Sequence, residues 1–262
     1  MAFFDYASPF VFAHRGGCAS GPENTLAAFD LGLQAGADGL ELDVHLSADG
    51  VPVVHHDATL DRTTSASGPI AARTAAELAR VDAGCRFADR GAFPFRSQGI
   101  GIPTLAEVLR RYPGVRVIVE MKVDSREMGE AVARDVRRAS AAEHVCAAGF
   151  GARSAAAARA ALPEMASSAS FREAQLAVYR TWARWPVRGA RYGGYQVPER
   201  SGFWRIVSPR FIQDAHRAAL KVEVWTVDEE AAMRRLLGWG ADALISNRPD
   251  VAVRVRDSLS PS

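Results

Sequence analysis

Three acidic side chains pose the first chemical question. Glu41 and Asp43 stand two residues apart in the apolar run 39–44, and Glu120 lies near the end of the β-branched run 115–121. Alternate residues of a strand share a face, so Glu41 and Asp43 would point the same way. Two buried carboxylates on one face repel and cost several kcal/mol unless a cation or a proton intervenes. With Glu120 they form an all-oxygen cluster, the donor set of a hard divalent ion such as Ca²⁺ or Mg²⁺. Zinc would call for more His or Cys. The plainer reading is that these acids pair with arginines on a rim.

Three histidines end other apolar runs: His14 after 11–13, and His55 with His56 after 51–54. A lone histidine at a strand end is more often a hydrogen-bonded rim residue. Two beside an acid cluster suit a different role, because imidazole titrates near neutrality and one ring can accept a proton while another donates one. Hydrolysis of a phosphodiester needs both transfers, at the nucleophile and at the leaving oxygen. His55 and His56 are neighbours, so only one of them can face a common site. Spacing leaves that choice open. Arg15 and Lys122 add positive charge, a guanidinium able to hold two phosphate oxygens and an ammonium acting as a point charge. Either alone would read as a surface ion pair. Gly16 and Gly17 suggest backbone turning tightly beside a ligand.

These groups need elements that converge. Extended runs are expected at 11–14, 39–44, 51–55, 115–121, 145–150, 165–170, 195–197, 221–226 and 243–246. Helices are expected at 24–35, 74–81, 104–111, 125–138, 153–162, 172–182, 209–220 and 228–239, with a capping box at Thr104 and Glu107. Strands alternating with helices argue for parallel β joined by right-handed crossovers. A chain of 262 residues suits one eight-stranded barrel, which takes about 250. The fold class expected is therefore α/β, a TIM-type (β/α)8 barrel with a short insertion after the second or third strand. The domain organisation expected is one domain over 1–262, with the inserted segment at about 59–101. Nine extended runs exceed eight barrel positions. Run 51–55 follows 39–44 too closely for a helical crossover, so it forms a hairpin or enters the barrel without a helix. In such barrels reactive groups stand at the C-terminal ends of strands, where His14, Glu41, Asp43, His56, Glu120 and Trp225 fall. Residues 1–7 and 257–262 carry little packing signal.

Composition excludes several classes. Net charge is +2, and the arginines scatter over Ala-rich helical stretches rather than clustering with aromatics, which argues against nucleic acid as a partner. Cys18, Cys85 and Cys146 are too few and too far apart for a disulfide framework or a thiolate metal site. No run of 18 apolar residues predicts a membrane span. The chain as given is expected to be soluble and cytoplasmic.

The ordered motifs go further. His14-Arg15-Gly16, Pro22-Glu23-Asn24-Thr25, Glu41-Leu42-Asp43-Val44, Pro52-Val53-Val54-His55-His56-Asp57 and Thr59-Leu60-Asp61-Arg62-Thr63-Thr64 resemble the signature of the glycerophosphodiester phosphodiesterase family. Glu120-Met121-Lys122, Val224-Trp225-Thr226-Val227 and the stretch from Gly240 to Pro249 continue it, with Asn247 where the family often has Asp. The resemblance spans residues 12–249 and implies metal-dependent release of glycerol 3-phosphate and an alcohol from a glycerophosphodiester. It implies one divalent cation, Ca²⁺ or Mg²⁺, on Glu41, Asp43 and Glu120. His14 and His56 would be the acid/base pair, with His56 chosen over His55 because the family's histidine directly precedes the Asp. Arg15 and Lys122 would lie near the phosphate, with Trp225 a further substrate contact. Position 247 is not among the family's catalytic positions. Two rivals stand beside this reading. One is a lysophospholipase D-like hydrolase, which needs an apolar groove that Phe87, Phe93, Phe95, Trp204 and Trp225 could line. The other is a non-catalytic phosphodiester-binding protein, which predicts a lost histidine or carboxylate.

Overall fold

Strands buried on both faces read as short apolar runs, and eight of those runs become parallel strands. The computed structural model describes residues 1–187 and 189–259. Its barrel strands are β1 (Phe10–His14), β2 (Gly39–Leu46), β4 (Arg116–Met121), β5 (Val145–Ala148), β6 (Ala166–Ser167), β7 (Gly194–Pro198), β10 (Lys221–Trp225) and β11 (Ala243–Ser246). They run side by side in the order β6-β5-β4-β2-β1-β11-β10-β7. A parallel bridge from Ser168 to Gly194 brings the two ends together. The fold is a nearly closed TIM barrel, as expected.

The ninth run is the hairpin arm. β3 (Pro52–Val54) pairs antiparallel with β2, Val44 opposite Val54. Helices α1 (Leu26–Gln34), α3 (Leu105–Arg111), α4 (Arg126–Arg138), α5 (Ala152–Ala161), α6 (Phe171–Ala183), α7 (Pro209–Arg217), α8 (Glu230–Gly238) and α9 (Pro249–Leu259) follow strands around the barrel, and α2 (Ala75–Leu78) lies between β3 and α3. The capping box of Thr104 and Glu107 forms at the start of α3, and a second one, of Thr74 and Glu77, starts α2. The stretch between β3 and α3 folds over a small cluster of its own, Val53, Leu60, Ile70, Leu78, Ala83 and Ile102.

Alternation divides the strands between two cores. Val11, Leu40, Leu42, Val117, Val119 and Leu244 face the helices. Phe12, Ile118, Cys146, Ala166 and Ile245 meet in a second cluster inside the barrel, together with Phe3, Phe4 and Tyr6. The expectation for residues 1–7 is thereby corrected. A single 3₁₀ turn, Ala2–Phe4, lowers Phe3 (0% exposed) into the barrel floor. That segment is too short to show a period, so its apolar side chains carry no pattern in sequence.

Other boundaries differ as well. Runs 145–150 and 165–170 shrink to β5 and β6, because Phe150 is 56% exposed and the ladder between β6 and β7 narrows to one bridge. The chain after residue 249, in which no helix was expected, forms α9 and buries Val251, Ala252 and Val255. Within 257–262, residues 260–262 lie outside the described residues. A two-residue ribbon of β8 (Arg200–Ser201) and β9 (Trp204–Arg205) has no period to betray it.

Candidate active site

Strand register assembles the acids. His14 lies opposite Glu41 in the β1–β2 ladder, and Asp43 lies opposite Glu120 in the β2–β4 ladder. One oxygen from each of Glu41, Asp43 and Glu120 falls within 4.8 Å of the others. Glu41 is 4% exposed and Asp43 is 1% exposed. Burial raises the Glu41 pKa well above the ordinary carboxyl value, reinforced by the negative charges of Asp43 and Glu120. Burial also works to raise that of Asp43, but Lys122 and Arg15 more than offset it and the net shift is downward.

The cations sit on these acids. Lys122 Nζ is 2.9 Å from Asp43 Oδ1 and 2.9 Å from Glu120 Oε1. The approach to Asp43 is an ion pair without hydrogen-bond alignment, and the buried Oδ1 accepts no donor. Arg15 donates its backbone N–H to Glu41 Oε2 at 3.0 Å and brings Nε to 3.3 Å from Asp43 Oδ2. The Arg15 backbone is left-handed, φ 50°, and Gly16 and Gly17 follow at φ 87° and 88°. A Cβ on Gly16 would come within 2.8 Å of the Phe29 backbone nitrogen, so only glycine fits that turn. A buried carboxylate oxygen paired only with a lysine, among three converging acids, fits a hard cation, which would take the lysine's place.

Both histidines line the cavity above the acids. His14 Nδ1 is 2.6 Å from Asn247 Oδ1. Asn247 donates its backbone N–H and its Nδ2 to Asp228, at 2.8 and 2.7 Å, so its amide oxygen is turned towards His14. His14 Nδ1 therefore carries the proton and Nε2 keeps a lone pair, 3.8 Å from Glu41 Oε2. Burial lowers the His14 pKa even though the Asn247 contact acts the other way. His56 Nδ1 is 2.7 Å from Asp57 Oδ1. Arg62 then links Asp57, at 2.6 Å, to Glu23, at 2.8 Å, and Glu23 accepts from Arg15 Nη1 at 3.0 Å. His55 is 5% exposed and turned away, its Nε2 3.2 Å from the Thr59 carbonyl oxygen. Trp225, the last residue of β10, lies on the opposite wall against Phe150.

The chain matches the model of the glycerophosphoryl diester phosphodiesterase family over residues 14–251. It belongs to that family. The glycerophosphodiester phosphodiesterase of Caldanaerobacter subterraneus subsp. tengcongensis is 29% identical over 250 residues, covering 94% of this chain and 96% of its own. A phosphodiesterase of Oleispira antarctica, solved in complex with the product sn-glycerol-3-phosphate, is 28% identical with a TM-score of 0.75, over 95% of this chain and 97% of its own. The glycerophosphoryl diester phosphodiesterase domain of a Mycobacterium tuberculosis protein shares the fold, with a TM-score of 0.82 at 23% identity, over 95% and 99% of the two chains. Family membership makes the chain an enzyme, a phosphoric diester hydrolase.

In this phosphodiesterase-family barrel, contacts beyond the expected residues hold the site. Position 247, set aside in sequence, lies directly on His14. Asn24, left-handed at φ 59°, donates Nδ2 to Asp43 Oδ2 at 2.8 Å and accepts the Asp43 N–H at 3.2 Å. Asn is the side chain that tolerates this backbone while bonding locally, and in sequence it stood out only as part of the Pro22-Glu23-Asn24-Thr25 motif. Of the five aromatics proposed for a groove, Trp204 and Trp225 line the cavity. Phe87 and Phe95 pack on each other at 5.4 Å, and Phe93 lies under Arg96. None of these three is on the cavity wall, because the segment carrying them folds over its own small core.

Proposed function

We propose that the protein hydrolyses glycerophosphodiesters to glycerol 3-phosphate and an alcohol, with one divalent cation and the pair His14 and His56. The observation that carries the reading is the convergence of three acids, two of them buried, beneath two histidines in a single cavity. No matched catalytic position is substituted, which counts against a silent binding protein.

Glu41, Asp43 and Glu120 would hold the cation, Ca²⁺ or Mg²⁺, which when bound supplies Lewis-acid polarisation of the phosphoryl group. Arg15 and Lys122 stand where they can balance phosphate charge, once Lys122 turns from the acids it pairs with. His14, with its Nε2 lone pair facing the acids, takes the proton of the nucleophile. His56 gives a proton to the leaving alkoxide. Trp225 packs against the substrate. The nucleophile is the glycerol 2-hydroxyl, giving a cyclic phosphate that water opens, or water directly. We read residues 1–262 as one domain with 59–101 inserted, and place it in the cytoplasm, in line with three free cysteines.

The test strips the protein with a chelator, restores Ca²⁺ or Mg²⁺, and follows glycerol 3-phosphate release from glycerophosphocholine. Activity should vanish and return. Restored cation at about a hundredfold excess over its dissociation constant should also add about 2.7 kcal/mol of stability, and Glu41→Ala or Glu120→Ala should lose that gain. Wild-type cation affinity in both variants would overturn the metal assignment.

A further inference from the structure

Asn247 meets His14 through an amide, and an amide has two unlike ends. Turned one way it offers Oδ1 and accepts the His14 Nδ1 proton. Turned over it offers Nδ2 and drives that proton to the other ring nitrogen. The Asn247 backbone is pinned from two sides, its N–H given to Asp228 Oδ1 at 2.8 Å and its carbonyl oxygen accepting the Ala19 N–H at 3.2 Å. That places the side chain on the ring without choosing which end faces it.

Asp228, in the loop after β10, makes the choice. Its Oδ1 also accepts the Ser246 hydroxyl at 3.0 Å, which leaves Oδ2 facing the Asn247 amide at 2.7 Å. A carboxylate accepts and cannot donate. Only Nδ2 can stand on that side, and Oδ1 is left for His14 at 2.6 Å. Cys18, from the loop after β1, brings a weaker donor to the same oxygen, its Sγ at 2.8 Å. Burial pushes that thiol up to about 11, so it keeps its proton. Resting on the phosphodiesterase reading, we propose that Asp228 is a positioning residue for the hydrolysis, fixing through the Asn247 amide the tautomer in which His14 turns a lone pair on Nε2 towards the acids. Nε2 takes the proton of the nucleophile, the Nδ1 proton stays with Asn247, and Asp228 itself neither gives nor takes one.

Asp228→Asn keeps the shape and inverts the logic. Its oxygen stays with the Asn247 N–H and the Ser246 hydroxyl, which sets its NH₂ against Asn247 Nδ2. Two NH₂ groups cannot bond, so the Asn247 amide turns over and presents Nδ2 to His14. Adding Asn247→Asp sets a carboxylate against that NH₂ and returns an acceptor to the ring. The experiment labels the holoenzyme with ¹⁵N-histidine and assigns the His14 ring signals by their absence in His14→Gln. They are read at neutral pH, beside kcat and KM for glycerophosphocholine. The wild type should carry the proton on Nδ1. Asp228→Asn should move it to Nε2 and lower kcat by about 10²–10⁴ at unchanged KM, the worth of a base held in the wrong tautomer. The double variant should restore both, which loss of a merely structural contact would not allow. Where the single variant does not fold, a folded double variant with wild-type kcat and an Nδ1 proton gives the same support. An Nδ1 proton retained in Asp228→Asn overturns the proposal, and so does a double variant with wild-type Tm that does not recover kcat. A wild type that hydrolyses no glycerophosphodiester overturns the phosphodiesterase reading instead, and the ring signals still report whether Asp228 sets the tautomer.

Discussion

His14 and His56 each have a partner on Nδ1, but the partners differ in charge: the neutral Asn247 amide for one and the Asp57 carboxylate for the other. The Asn247 oxygen holds the proton on His14 Nδ1 and leaves Nε2 free to accept one, and burial lowers the His14 pKa, which suits the base. The consequence is measurable through the leaving group. Choline is a poor leaving alkoxide, whereas p-nitrophenolate departs without a proton. His56→Ala should cost about 10²–10⁴ in turnover of glycerophosphocholine and far less on a p-nitrophenyl phosphodiester. His14→Ala should damage both comparably where bond cleavage limits turnover. Rescue of His14→Ala by the nitrophenyl ester, and not of His56→Ala, would reverse the two roles.

Elements act on the site through two close approaches. The loop bearing His14 and Arg15 is pressed by α1, and Gly32 makes that contact. A Cβ there would stand 2.5 Å from the Gly16 carbonyl oxygen and 2.8 Å from Ala13 Cβ. Gly32→Ala should cost about 1–3 kcal/mol as overpacking and displace the loop, so kcat should fall together with Tm. Full turnover in a destabilised variant would separate the loop from the helix. The second approach comes from the segment between β3 and α3. Its Arg62 ties Asp57, and through it His56, to Glu23 and Arg15. The motif containing Arg62 was legible in sequence, but its reach of 39 residues back to Glu23 was not. An ion pair between loops follows no local period.

The whole barrel carries a pH liability below the site. Glu223 is 0% exposed, accepting from Tyr6 Oη and Gln196 Nε2, each at 2.7 Å. Burial pushes its carboxyl from the ordinary 4.5 up to about 7. Between these values the folded chain keeps a proton that the unfolded chain has lost. The contribution is therefore fully present below about 4.5 and falls as pH rises to about 7. Its size is about 3 kcal/mol at most. Denaturation at about pH 5 and about pH 8 should show the wild type losing up to that much more than Glu223→Gln. Identical pH dependence in the two proteins would mean that Glu223 does not carry a raised pKa.

Amino-acid order alone determined whatever repeats locally. The apolar runs and helical periods predicted parallel strands joined by helices. The two-residue spacing put Glu41 and Asp43 on one face, and the adjacency of His55 and His56 sent them opposite ways. These follow from backbone geometry within a few residues, so distant contacts cannot change them. Tertiary structure decided the rest. Only the β2–β4 register sets Glu120 opposite Asp43, and only the turn after β2 makes β3 a hairpin arm rather than a barrel strand. The same holds for Asn247 on His14 and for Phe3 filling the barrel floor. Each joins residues far apart in the chain whose side chains look ordinary alone, and only barrel closure brings them within a few ångströms.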